Sequence, residues 1–146
     1  MNWKKLEEIK EKRVNDARKK LTIRKSAYQK SVNELNQQKK VHEDLNNIHY
    51  KIMNSPFDQA VSITTLELNR WQQKITIVRS KILASDHILS ELKKKSADCL
   101  SQWEEAELFY QLSLSKLQKC IEVRKKNDSN TSSETDDKYD ENKSRF

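Results

Sequence analysis

The stretch that decides the fold is residues 68–120, LNRWQQKITIVRSKILASDHILSELKKKSADCLSQWEEAELFYQLSLSKLQKC. One heptad position in it reads Leu68, Ile75, Ile82, Leu89, Ser96, Trp103, Tyr110 and Leu117. Three residues on, the partner position reads Trp71, Val78, Ser85, Leu92, Cys99, Ala106, Ser113 and Cys120. This 3,4 spacing continues without a stutter, and it is the period that winds helices into a left-handed supercoil. Large and small residues alternate along it, as knobs filling holes require. The spacing predicts one long helix that needs a partner along its whole length.

Working backwards, the first half supplies that partner. Its seam reads Val14, Leu21, Tyr28, Leu35, His42 and His49 at one position, and Ala17, Arg24, Ser31, Gln38, Leu45 and Ile52 at the other. Arg24, Ser31, Gln38 and His42 make this a thin core, with Val32, Val41 and Ile48 expected to widen the apolar stripe. A helix with such a seam is marginal alone and depends on tertiary packing. Between the two lies Met53-Asn54-Ser55-Pro56-Phe57-Asp58, where two helix starts compete. Ser55 can cap a helix with Pro56 at its first position. Thr64 can cap with Glu67 completing a capping box. The heptad register extends back to Phe57 and favours the first, whereas the β-branched run 61–65 favours the second.

The expected fold is therefore all-α: a long antiparallel two-helix coiled-coil hairpin over residues 1–126. Helix 1 is expected at about 3–53, a tip at about 54–64 and helix 2 at about 65–126. Each helix would be about 75–90 Å long at ~1.5 Å per residue. Folding at the tip places Trp71 near Asp44 and Leu45, Trp103 near Lys12, and Tyr110 near Trp3. From Asn127 the chain turns acidic and serine-rich without apolar periodicity, so 127–146 reads as a disordered acidic C-terminal tail.

Composition agrees with this reading. The 146 residues are 34% hydrophobic and 35% charged, too few apolar side chains for a compact globule of that length but enough for two stripes. Glycine is absent and proline occurs once, which argues for long helices and very few turns. Without glycine, every phosphate loop or nucleophile elbow that depends on it is excluded. No apolar run resembles a signal peptide or approaches the ~20 residues of a membrane span, so a cytoplasmic protein without membrane insertion is expected. Cys99 and Cys120 share one helix face three heptads apart, about 30 Å along the axis, and read as reduced seam residues. His42 and His49, one heptad apart, are too distant to share a zinc ion. A pH-sensitive weakening of the seam is the functional role open to them; His87 falls on the outer face. No cofactor, small-molecule substrate or catalytic group is expected, and the chain reads as a non-enzyme.

Two surfaces stand out. Basic residues crowd the N-terminal region from Lys4 to Lys25, and in a hairpin Lys116, Lys119, Arg124, Lys125 and Lys126 join them at the open end. Such an end suits an acidic protein surface. Nucleic acid is disfavoured because the aromatics fall in the seam rather than beside the lysines. The second surface is Leu108-Phe109-Tyr110-Gln111-Leu112-Ser113-Leu114, apolar on more than one face. Either some of Leu108, Phe109, Leu112 and Leu114 remain exposed for a protein contact, or Trp3, Leu6 and Ile9 wrap over them.

A basic, glycine-free helix–tip–helix chain of this length resembles the YscO/FliJ family, the central-stalk proteins of type III secretion and flagellar export. The resemblance covers residues 1–126 and is strongest at Leu66-Glu67-Leu68-Asn69-Arg70-Trp71-Gln72-Gln73-Lys74-Ile75-Thr76-Ile77-Val78-Arg79-Ser80-Lys81-Ile82, which looks like the start of the second helix in injectisome stalks. It implies a cytoplasmic stalk peripheral to the inner-membrane apparatus, coupling the hexameric secretion ATPase to the membrane export gate. Carried onto this chain, Trp3, Leu6, Lys10, Arg13, Lys20, Tyr110, Leu114 and Arg124 would meet the ATPase. Leu45, His49, Ile52, Leu66 and Trp71 would meet the gate. Secretion chaperones are further expected partners, and the chain alone is expected to be monomeric. Rival readings are an escort or chaperone for secretion substrates, a nucleic-acid-binding coiled coil, and a scaffold that self-assembles through Leu108–Leu114.

Overall fold

The computed structural model describes residues 2–58 and 64–144, with side chains described for 2–55 and 64–129. Two helices, α1 (Trp3–Asp58) and α2 (Thr65–Ser144), pack against each other as an antiparallel hairpin. No strand occurs among the described residues.

The heptad positions are the buried ones. Val14 and Ala17 are buried on α1; on α2 the buried apolar residues are Ile75 and Leu89 at one heptad position and Val78, Ala106 and Cys120 at the other. Removing a side chain such as Ile75 or Leu89 from water contributes about 1.5–3 kcal/mol. Several buried positions are small and polar: Ser31, Ser85 and Ser113. Ser31, the most deeply buried, donates its hydroxyl to the Tyr28 carbonyl at 2.7 Å, one turn back in its own helix. The wider stripe expected from Val32, Val41 and Ile48 does not close. Val32 is half-buried, but Val41 and Ile48 remain exposed, since a two-stranded coil covers only one seam.

The competing helix starts resolve in favour of Thr64. Its hydroxyl accepts from the Glu67 amide at 3.2 Å, while the Glu67 carboxylate reaches back to the Thr64 amide at 3.5 Å. This reciprocal pair satisfies two amide donors that a helix start otherwise leaves open. Ser55 and Pro56 belong instead to the last turn of α1. Pro56 has no N–H to give to the carbonyl four residues back, that of Ile52. The Trp71 indole N–H donates to that carbonyl at 2.7 Å. A side chain of α2 thus supplies the hydrogen bond that proline removes from α1. At the other end Asn2 caps α1, its side-chain oxygen accepting from the Lys5 amide at 3.2 Å.

Because α1 runs to Asp58 rather than 53, the pairing register is displaced from the expected one. Trp71 therefore meets Ile52, not Asp44 and Leu45. Gln102, next to Trp103, pairs with Arg24 rather than with the Lys12 region, and Tyr110 lies under Arg18 instead of beside Trp3. Of the expected tip, residues 54–58 are helical, 59–63 lie outside the described residues and Thr64 is the cap. Over the expected disordered tail, the helical backbone continues to Ser144, and side chains from 130 on lie outside the described residues.

Packing divides the hairpin into two units, Lys25–Ser101 and the pair of segments Met1–Arg24 and Gln102–Phe146.

Candidate docking surfaces

In the unit Lys25–Ser101 the polar seam residues are matched rather than loose. The Ser85 hydroxyl sits between two groups of α1, accepting from Gln38 Nε2 at 3.0 Å and lying 3.2 Å from His42 Nδ1. His42 Nε2 is 3.2 Å from an Asp86 carboxylate oxygen, so both ring nitrogens face partners. His49 Nε2 accepts from Arg79 Nε at 3.3 Å. The two histidines therefore have opposite surroundings, a carboxylate at one and a guanidinium at the other. At the rim Lys95 pairs with Glu34 at 3.0 Å.

Near the start of α2 the same unit holds a recess of about 470 Å³. Its walls combine apolar Ile52, Leu68 and Trp71 with cationic Lys51, Arg70 and Lys74. Its one acidic group, Glu67, is committed to the helix cap. Of the residues assigned to the gate by resemblance, Ile52 and Trp71 line this recess. Leu45 and His49 are half-buried in the seam, and Leu66 points to solvent, 60% exposed.

The unit of Met1–Arg24 and Gln102–Phe146 is built differently. Glu7 is buried and bonded to Arg124 at 2.8 Å, and within this pair Glu7 Oε1 and Arg124 Nε are buried without a hydrogen-bond partner. Glu7 lies one heptad before Val14 and Arg124 one heptad after Leu117, so both occupy seam positions. Sequence reasoning stopped the seam at its last apolar members and counted Arg124 among the outward basic residues. Continuing the count by seven would have found the pair. Arg18 lies over the Tyr110 ring at 5.9 Å, within cation–π range, and Arg24 donates to Gln102 at 2.6 Å.

Residues assigned to the ATPase by resemblance divide accordingly. Arg13 and Lys20 are exposed; Trp3, Leu6, Lys10, Tyr110 and Leu114 are half-buried; Arg124 is tied to Glu7. Leu108, Phe109 and Leu112 are 64%, 56% and 53% exposed, so the apolar segment is not wrapped by Trp3, Leu6 and Ile9. Phe109 also borders two basic recesses, one with Lys10, Arg13 and Lys116, the other with Lys20 and Arg24. An aromatic beside cations is the feature whose absence had counted against nucleic acid.

Among the described residues no group of three or more His, Cys, Asp or Glu side chains is arranged to hold a metal ion. Cys99 is half-buried, Cys120 buried, and both are free thiols. No helix among the described residues is long and apolar enough to cross a membrane. No protein-family model, curated protein or solved structure matches the chain.

Proposed function

We propose that this chain is a non-enzymatic stalk of a type III secretion export apparatus, coupling its hexameric ATPase to the membrane export gate. The observation that carries the docking part of this reading is that each unit bears its own apolar surface edged with cations. One is the recess of Ile52, Leu68 and Trp71 beside Lys51, Arg70 and Lys74; the other is the exposed Leu108, Phe109 and Leu112 with their neighbouring lysines and arginines. A protein with two such patches is equipped to hold two partners at once. The secretion setting rests on the YscO/FliJ resemblance of the 66–82 stretch and of the helix–tip–helix design.

In this role the ATP chemistry belongs to the partner, and the chain supplies mechanical continuity. Helices of 56 and 80 residues give contours of about 84 and 120 Å at 1.5 Å per residue. The ATPase would take the surface around Lys10, Arg13 and Lys20, and the gate would take the Trp71 recess. Secretion chaperones are further candidate partners. The decisive experiment is co-purification of the full chain with the ATPase and with the cytoplasmic part of the gate protein from the same operon. A ternary complex, with the ATPase lost when residues 1–12 are removed and the gate lost on Trp71→Ala, is the expected result. A helical, monodisperse chain that binds neither partner at low salt refutes the stalk reading.

A further inference from the structure

In an antiparallel hairpin one flank of the seam brings together the residues just before each first heptad position. On this flank α1 contributes Arg13 and Lys20, and α2 contributes Gln102, Phe109 and Lys116. Such flank positions commonly hold Glu and Lys that pair across the helices. Here they hold cations and an aromatic with no acid among them. Lys10 and Arg24 reach the same surface from the adjacent seam position, and Glu105 is the one carboxylate bordering its recesses. No ion pair among the described residues involves Lys10, Arg13, Lys20, Arg24 or Lys116. Arg24 donates to the neutral amide oxygen of Gln102.

The geometry points to a docking surface for an acidic amphipathic helix of another protein, seated along this flank with its apolar side on Phe109. Two basic recesses lie on either side of that ring, one around Lys10 and Arg13 and the other around Lys20 and Arg24. Their centres are ~10 residues apart along α1, or about 16 Å. A partner helix covers 16 Å in three turns, so its carboxylates should be ~11 residues apart with an apolar residue midway. Phe109, Leu112 and Leu108 form a run of exposed apolar side chains at helix-neighbour spacings, which an apolar helix face covers and a phosphate backbone does not. A nucleic-acid strand would also favour cations at closer, regular intervals than two clusters separated by that strip. Charge complementarity supplies the encounter, and burial of the Phe109 ring supplies the anchor. The inference rests on the docking role proposed above but not on its secretion setting, because any partner presenting this pattern would serve.

The test uses the full chain and a fluorescein-labelled designed helix of about 20 residues, with two pairs of glutamates ~11 residues apart and a leucine between them. A peptide of identical composition with the pairs ~7 residues apart is the comparison, together with a single-stranded oligonucleotide, all at about 0.15 M salt. Anisotropy should show the first peptide binding at least about tenfold more tightly than the second. Phe109→Ser and Lys20→Glu should each cost about tenfold, while Leu83→Ser, an exposed apolar site elsewhere, should cost nothing. Because Phe109 and Lys20 are exposed, the helical circular-dichroism signal should be unchanged in both variants. Equal affinity for the two peptides, binding of neither, or insensitivity to Phe109→Ser overturns the proposal. An oligonucleotide that binds more tightly than the peptide and is lost on Phe109→Ser would make the surface a nucleic-acid site instead. Failure to bind the secretion ATPase, by contrast, would bear on the stalk reading alone.

Discussion

The two units interrupt their apolar seams in different ways. In Lys25–Ser101 the interruption centres on a shared neutral hydroxyl: Ser85 serves both Gln38 and His42. In the unit containing both chain ends it is charged: Glu7 faces Arg124, with one atom of each left buried and unpartnered. A neutral layer exchanges water hydrogen bonds for protein ones at modest net gain. A charged layer must first recover the desolvation cost of two ions, and unmatched atoms make that recovery incomplete. The contrast teaches that a polar seam is not uniformly weak; what matters is whether each group's bonding capacity is filled.

The largest expected effect comes from splitting the charged layer. Glu7→Leu leaves Arg124 half-buried without its counter-ion and should lower stability by about 2 kcal/mol, discounted from the fully buried case because Arg124 is partly solvated. Adding Arg124→Leu should return stability to within about 1 kcal/mol of the original or above it. Urea unfolding of the two variants decides this. A double variant no better than the single would mean the ion pair is a net stabiliser and would dissolve the contrast.

Next is the neutral layer, where Ser85→Ala should cost about 1–1.5 kcal/mol by removing the group that Gln38 and His42 share. Further replacement of Gln38 by Leu should cost little more, since its partner is already gone. Independent, additive losses would show that the two bonds are not one layer.

Smaller still is Trp71→Phe, expected to cost about 1 kcal/mol through the lost indole bond to Ile52. The same change beside Pro56→Ala should cost visibly less, because alanine returns the N–H that proline lacks. The smallest effect is Lys95→Ala, about 0.3 kcal/mol, as for an exposed rim pair. A loss as large as that of Ser85→Ala would mean that rim charges, not seam polarity, distinguish the units.

The hairpin, its seam and the capping box were legible in the sequence because helix periodicity and Thr64–Glu67 capping are local patterns. The register was not. It depends on where α1 stops, and Pro56 signals a helix start as readily as a tolerated last turn. What settles that choice is the Trp71 indole, 19 residues from its acceptor and unreadable from either neighbourhood alone. The basic character of the open end was also visible. Which cations face solvent was not, since Arg124 and Glu7 sit on the seam while looking, as single letters, like surface charges. Phe109 was visible as a candidate for exposure, but its flanking cations emerge only when the corrected register places α1 beside it.

The cross-helix bonds differ widely in the length of chain they close, from 19 residues for Trp71–Ile52 to 117 for Arg124–Glu7. For a flexible chain, closing the longer loop first costs about 1.6 kcal/mol more than the shorter. Pairing should therefore nucleate beside Trp71 and spread toward the chain ends, with the Glu7 layer among the last contacts made and the first lost. The surface around Phe109 needs residues 10–24 and 102–116 already side by side. It comes into existence late in folding, and a partner that recognises it is in effect inspecting whether the chain has finished zipping.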